Sequence, residues 1–191
     1  MPRSLLYFAL AFSLLLILLQ LGQSTLLFRR ELVEAGEIWR VLSGQFVHTN
    51  WPHLGMNLAG FWMLLSLTGS IVRPATLALY IMGLALGIGL ALYVWQPALQ
   101  WYAGFSGVLY GLLVWGGIQL WLAKDHTLGA ALLLITLGKL AFDAWQGGNP
   151  LSEQLIAAPV VAAAHYYGVS LALLSSLPAI CRHYASSKTA S

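Results

Sequence analysis

The sequence predicts an all-α fold: a single membrane domain over residues 1–191, built as a bundle of six transmembrane helices. Three observations lead there. Hydrophobic residues make up 59% of the chain and charged residues 8%, with mean hydropathy +0.78; a soluble domain carries about a quarter charged residues. The charges cluster, leaving long apolar runs between them, and a bilayer core of ~30 Å needs roughly 20 apolar residues in a helix. Aromatic residues gather near the ends of those runs, at Trp39, Trp51, Tyr93, Trp95, Trp101, Tyr102 and Trp121. Amphipathic rings prefer the headgroup layer, which fits that placement.

The spans fall at about 4–22, 53–69, 74–95, 105–122, 127–145 and 157–178. The first follows Arg3 and so resembles a secretory signal. Its apolar stretch from Leu5 to Leu21 is longer than a signal's core, however, and no A-x-A-like site follows, so it reads as an uncleaved span. Residues 23–52 form the longest non-spanning piece. Pro52, Pro74, Pro97, Pro150 and Pro159 lie at helix starts or in connections, where a missing N–H matters little. The tail after about residue 179 is short and polar and reads as disordered.

Loop charges set the orientation. With both termini in the cytoplasm, Arg3, Arg73, Lys124, Arg182 and Lys188 are inside, while Arg29, Arg30 and Arg40 share the first outer loop with Glu31, Glu34 and Glu37. The net charge of +3 is thus a topology signal and gives no argument for nucleic acid. Cys181 is the single cysteine, which excludes a disulfide within the chain.

Polar residues inside hydrocarbon are costly, so each is a functional candidate. Ser106 lies in Gly104-Phe105-Ser106-Gly107 at the start of the fourth span. Flanking glycines let backbone and substrate approach closely, and a helix N-terminus offers free N–H groups to a developing oxyanion. A helix-capping serine beside packing glycines gives the same pattern. His165, in Ala164-His165-Tyr166-Tyr167-Gly168, is expected about 12 Å below the outer end of the last span. There it needs a partner or a water-filled cavity, as a base, a packing residue or a proton relay.

The pair says more than either member. A serine hydroxyl needs a base to become a nucleophile, and histidine is the usual base near neutral pH. Gly107 and Gly111 on the fourth helix, and Ala164, Gly168 and Ala172 on the sixth, are spaced for close helix approach in a membrane. Tyr110, four residues after Ser106, shares its face and is placed to stack on His165. His53 and Asn57, spaced i and i+4 at the start of the second span, supply ring and amide donors for an oxyanion. An interfacial histidine and a helix-gluing asparagine are the alternative. Two histidines and an asparagine without an acidic or thiolate partner make a poor metal site.

Trp39-Arg40, His48 with His53 and Asn57, Gly104-x-Ser106-Gly107 with Tyr110, and Ala164-His165-x-x-Gly168 together resemble the rhomboid intramembrane serine proteases over residues 37–175. The resemblance implies Ser106 as nucleophile, His165 as general base, and His53, Asn57 and the Ser106 N–H as oxyanion hole. It implies a structural His48, a first loop built on Trp39-Arg40, a site open to the non-cytoplasmic side, and no metal or cofactor.

The compact chain, with Gln45 to His53 and Asn57-Leu58-Ala59-Gly60, further resembles the rhombosortase subfamily. That implies a bacterial inner-membrane enzyme whose partners are single-span proteins with a C-terminal Gly-Gly motif, hydrophobic helix and basic tail. Ala172 stands where the family's glycine ridge has its second glycine.

Lys139 and Asp143, at i and i+4 in the fifth span, lie outside the general pattern. They read as a salt bridge reaching toward the interface, or as a reader of some polar feature of the substrate. Residues 147–157 read as a lid or as an ordinary turn. A proton-coupled transporter and a catalytically inactive binding relative are the competing functions.

Overall fold

The computed structural model describes residues 1–188. In chain order the elements are α1 (Arg3–Leu21), α2 (Gln23–Leu26), β1 (Phe28–Arg29), α3 (Arg30–Glu34), α4 (Arg40–Ser43), α5 (Trp51–Thr68), α6 (Pro74–Trp95), β2 (Trp101–Tyr102), α7 (Ser106–Leu122), α8 (His126–Trp145), α9 (Pro150–Ile156) and α10 (Ala162–Lys188). The fold is the expected all-α polytopic bundle. Helices α1, α6, α8 and α10 are long and apolar enough to cross a membrane; α7 is apolar over 17 residues. The 18 residues of α5 carry His53 and Asn57.

Helix α7 is at the centre. Eleven of its residues are buried, from Gly107 to Leu120, and α5, α6, α8 and α10 all pack on it. Its crossing with α10 has almost no side-chain spacer. A β-carbon at Gly168 would lie 2.0 Å from the Gly107 carbonyl oxygen, and one at Gly111 would lie 2.8 Å from that of Gly168. Both distances are below any real Cβ contact, so these positions require glycine at this spacing.

The segment between α1 and α5 is a folded frame held by buried polar side chains. Arg40, 5% exposed, pairs with Glu37 at 2.6 Å and donates to the Leu27 carbonyl at 2.8 Å. Arg30 donates to the carbonyls of Tyr93 and Gln96, each at 2.9 Å, and to that of Leu99 at 3.0 Å. The last carbonyls of a helix lack intrahelical partners and favour a cation, and Arg30 meets both needs at the end of α6. The side chain of Gln20 on α1 grips the backbone of His48, donating to its carbonyl at 2.8 Å and accepting its N–H at 2.7 Å. Strands β1 and β2 pair antiparallel, Phe28 with Tyr102 and Arg29 with Trp101, tying this frame to the chain just ahead of α7.

Three expectations need correction. The last helix begins at Ala162, later than residue 157, because the chain through Pro159 is not helical after Ala157. His165 therefore sits about 4.5 Å along its helix, at one turn's depth rather than two. The tail expected to be disordered continues α10 through Pro178 as far as Lys188; residues 189–191 lie outside the described residues. Tyr102, taken as an interfacial ring, is 4% exposed and belongs to the interior. The other boundaries fall within two residues of their predicted positions.

At Gly89 in α6 a β-carbon would lie 1.9 Å from the Val41 carbonyl oxygen of α4. Overpacking costs about 1–3 kcal/mol, more than the ~1 kcal/mol of helix propensity that alanine adds. Gly89→Ala is expected to lower the thermal midpoint in detergent. Gly83→Ala, with nothing within 4 Å, is expected to leave it unchanged or raise it. Equal midpoints for the two variants would contradict the close packing of α4 on α6.

Candidate active site

Three segments bring the predicted residues to one end of the bundle. Ser106 is the first residue of α7, His165 lies in the first turn of α10, and His53 and Asn57 lie in the first two turns of α5. Asn50 caps α5, its side-chain oxygen accepting the His53 N–H at 2.8 Å. Pro52 at the second helical position needs no such partner.

Ser106 Oγ is 2.9 Å from His165 Nε2. His165 is 7% exposed, and its ring stacks on that of Tyr110 with centroids 4.4 Å apart and planes 19° from parallel. Each small residue of the α7–α10 crossing contributes here: a β-carbon on Gly107 would meet the Ala164 carbonyl oxygen at 2.9 Å.

Ahead of Ser106 the chain turns through Gly104 at φ +150°, where any side chain is strained. A β-carbon there would also lie 2.9 Å from Cε1 and 3.2 Å from Nε2 of His53. Two further contacts hold the turn: Gly104 N–H donates to the Gly44 carbonyl at 3.1 Å, and Phe105 N–H to His48 Nε2 at 3.4 Å. Burial, with a smaller contribution from the neighbouring His53, holds the His48 imidazole well below its ordinary range, at about 3. A neutral ring is what an N–H donor requires. Tyr102 donates to the Gly104 carbonyl at 2.8 Å, and its hydroxyl also interacts with Ser106 and the Gly107 backbone. Burial pushes its phenol upward, so it keeps the proton it donates.

His53 and Asn57 are both buried on the wall facing Ser106. Asn57 Nδ2 donates one hydrogen to the His53 carbonyl at 3.1 Å, which leaves its second for a ligand. Ser106, His165, His53 and Asn57 line one cavity of about 240 Å³. A water occupies ~30 Å³ of liquid, so the space suits a peptide segment and attacking water.

Lys139 and Asp143 also face this cavity, as an ion pair at 2.5 Å. Asp143 additionally accepts from Asn149, the N-cap of α9. The segment read as lid or turn is thus a short helix docked across the opening. At its far end Thr49 donates to the Ile156 carbonyl at 2.6 Å and Asn50 to that of Leu155 at 2.9 Å. Gly147 and Gly148 have positive φ before it, and Ala157 is left-handed after it at φ 53°.

All eight residues singled out from the sequence, namely Ser106, His165, His53, Asn57, Gly104, Gly107, Tyr110 and Gly168, meet in this region. Tyr102 and Thr49 were missed. Tyr102 lies two residues before Gly104, and Thr49 four residues before His53; those spacings were the available signal. Among the described residues no cluster of His, Cys, Asp or Glu is arranged to hold a metal ion.

The family model described as Rhomboid domain matches residues 35–181, a range that includes every one of these side chains. No curated protein matches the chain.

Gly168→Ala places a methyl group against the Gly107 carbonyl and must push α10 from α7. A displacement of about 1 Å at a reacting pair can cost ~10²-fold. The rate at which a fluorophosphonate modifies Ser106 is expected to fall by about that factor in Gly168→Ala. An unchanged rate would show that the close crossing does not set the Ser106–His165 distance.

Proposed function

The chain belongs to the rhomboid family, and on that premise we propose that it is an intramembrane serine protease with Ser106 as nucleophile and His165 as general base. The observation that carries this reading is the 2.9 Å contact between Ser106 Oγ and His165 Nε2 inside a cavity that His53 and Asn57 also line. His165 takes the Ser106 proton as Oγ attacks the scissile carbonyl. Negative charge then grows on the carbonyl oxygen, where the second Nδ2 hydrogen of Asn57, the Ser106 N–H and the His53 ring meet it. His165 passes the proton to the leaving amine, and water releases the acyl group by the reverse exchange. Among the described residues no carboxylate is hydrogen-bonded to His165, and the stacked ring of Tyr110 orients it instead.

In this reading residues 1–191 form a single membrane domain in a bacterial inner membrane, with both termini cytoplasmic and the site open to the other side. The substrates are single-span membrane proteins cut near the outer membrane boundary. The resemblance to rhombosortases favours those with a C-terminal Gly-Gly motif, hydrophobic helix and basic tail. The Lys139–Asp143 pair lines the same cavity and stands where it would meet a polar part of the substrate. Residues 147–157 act as the cap that such a substrate displaces. No metal or cofactor enters the chemistry.

The test is cleavage in membranes of a tagged single-span protein carrying Gly-Gly before its helix. Wild type is expected to cut it, and Ser106→Ala and His165→Ala to lose at least ~10³-fold. Equal cleavage by folded Ser106→Ala would overturn the mechanism. Proton-coupled flux surviving that substitution would favour a transporter.

A further inference from the structure

We propose that Thr49 is a positioning residue that decides which ring nitrogen of His53 carries the proton, and that α9 sets its choice. The inference rests on the reading of His53 as an oxyanion donor. A threonine hydroxyl has one proton to give. The Thr49 oxygen lies 2.6 Å from the Ile156 carbonyl oxygen and 3.1 Å from His53 Nδ1. A carbonyl can only accept, so the hydroxyl proton goes to Ile156. The Thr49 oxygen then faces Nδ1 as an acceptor, and that contact is favourable only when Nδ1 carries the ring proton.

The consequence appears on the other side of the ring. A neutral imidazole protonated at Nδ1 has a lone pair at Nε2. Nε2 is the nitrogen beside Gly104, where a β-carbon would come within 3.2 Å of it, and it has no hydrogen-bond partner among the described residues. With α9 docked, Nε2, the nitrogen that the oxyanion-donor reading of His53 relies on, therefore carries a lone pair and offers no donor. This arrangement disables part of the oxyanion hole in the resting site.

Substrate entry reverses it. Ser152 and Ile156 of α9 line the same cavity as Ser106, so a polypeptide bound there touches that helix, and in this proposal the contact displaces it. Among the described residues two side-chain hydrogen bonds, from Thr49 and Asn50, fasten its C-terminal end to the start of α5. Once the Ile156 carbonyl leaves, the Thr49 hydroxyl turns its proton to Nδ1. The ring loses its proton at Nδ1 and gains one at Nε2, exchanged through water in the cavity, with no net change of charge. His53 becomes a donor when a substrate is present to need one.

The experiment is 15N NMR of the full chain in detergent micelles, labelled at its five histidines and assigned with His53→Gln. Resting wild type is expected to show His53 protonated at Nδ1, and Thr49→Ser to retain that state. Thr49→Val is expected to shift the proton to Nε2, because Nδ1 has lost its acceptor. A fluorophosphonate bound to Ser106 is expected to shift wild type to Nε2 as well. Resting wild type protonated at Nε2 or at both nitrogens, an unchanged Thr49→Val, or an adduct that leaves the proton on Nδ1 would each overturn the proposal. Absence of any Ser106 adduct would instead count against the protease reading, and the resting comparison, which needs no catalysis, would still decide the role of Thr49.

Discussion

A β-carbon at Gly168 would lie 2.0 Å from the Gly107 carbonyl oxygen, and the missing side chain is what lets Ser106 and His165 reach each other. In a membrane, helices gain little by burying apolar faces against one another, since lipid is as apolar as leucine. Close backbone contact supplies the attraction instead. Here the same contact fixes the Ser106–His165 distance, because both side chains project from the first turns of the two helices that cross. The geometry leaves almost no slack, since Gly107, Gly111, Ala164 and Gly168 each fill their space.

Rigidity at that crossing would be useless if the chain ahead of Ser106 could move. The frame between α1 and α5 opposes this through buried polar contacts added to the buried side chains of Phe28, Val41, Phe46 and Val47. Arg40 gathers the frame's own carbonyls, Arg30 closes the end of α6, and Gln20 pins His48. His48 in turn accepts from Phe105, one residue before Ser106. A chain of hydrogen bonds therefore runs from α1 to the site. Helix α9 contrasts with this frame: a few side-chain hydrogen bonds hold it to the rest of the site, and glycines with positive φ precede it.

The fold was legible because the bilayer imposes it. Apolar runs of the right length, interrupted by prolines and flanked by tryptophans, leave few alternatives, and five of the six long helices begin within two residues of their expected starts. The sixth was misplaced because its apolar run extends upstream of Pro159 into backbone that is not helical. Ser106, His165, His53 and Asn57 were legible because hydrocarbon makes polar residues conspicuous. That filter fails in the connecting segments, where polar residues are ordinary. Thr49 and Tyr102 lie there, and their importance comes from contacts 107 residues away in one case and with a neighbouring turn in the other. Tyr102 was also disguised by composition, since it stands beside Trp101 in what reads as an interfacial aromatic pair.

The central claim is that Ser106, activated by His165, attacks a carbonyl whose oxygen is held by the start of α5. The most direct measurement is a structure of the chain after reaction with a fluorophosphonate. The account predicts phosphorus bonded to Ser106 Oγ, with a phosphoryl oxygen about 2.7–3.1 Å from Asn57 Nδ2 and the Ser106 N–H. Phosphorus on another residue, or a Ser106 adduct whose oxygen points away from Asn57, would contradict it.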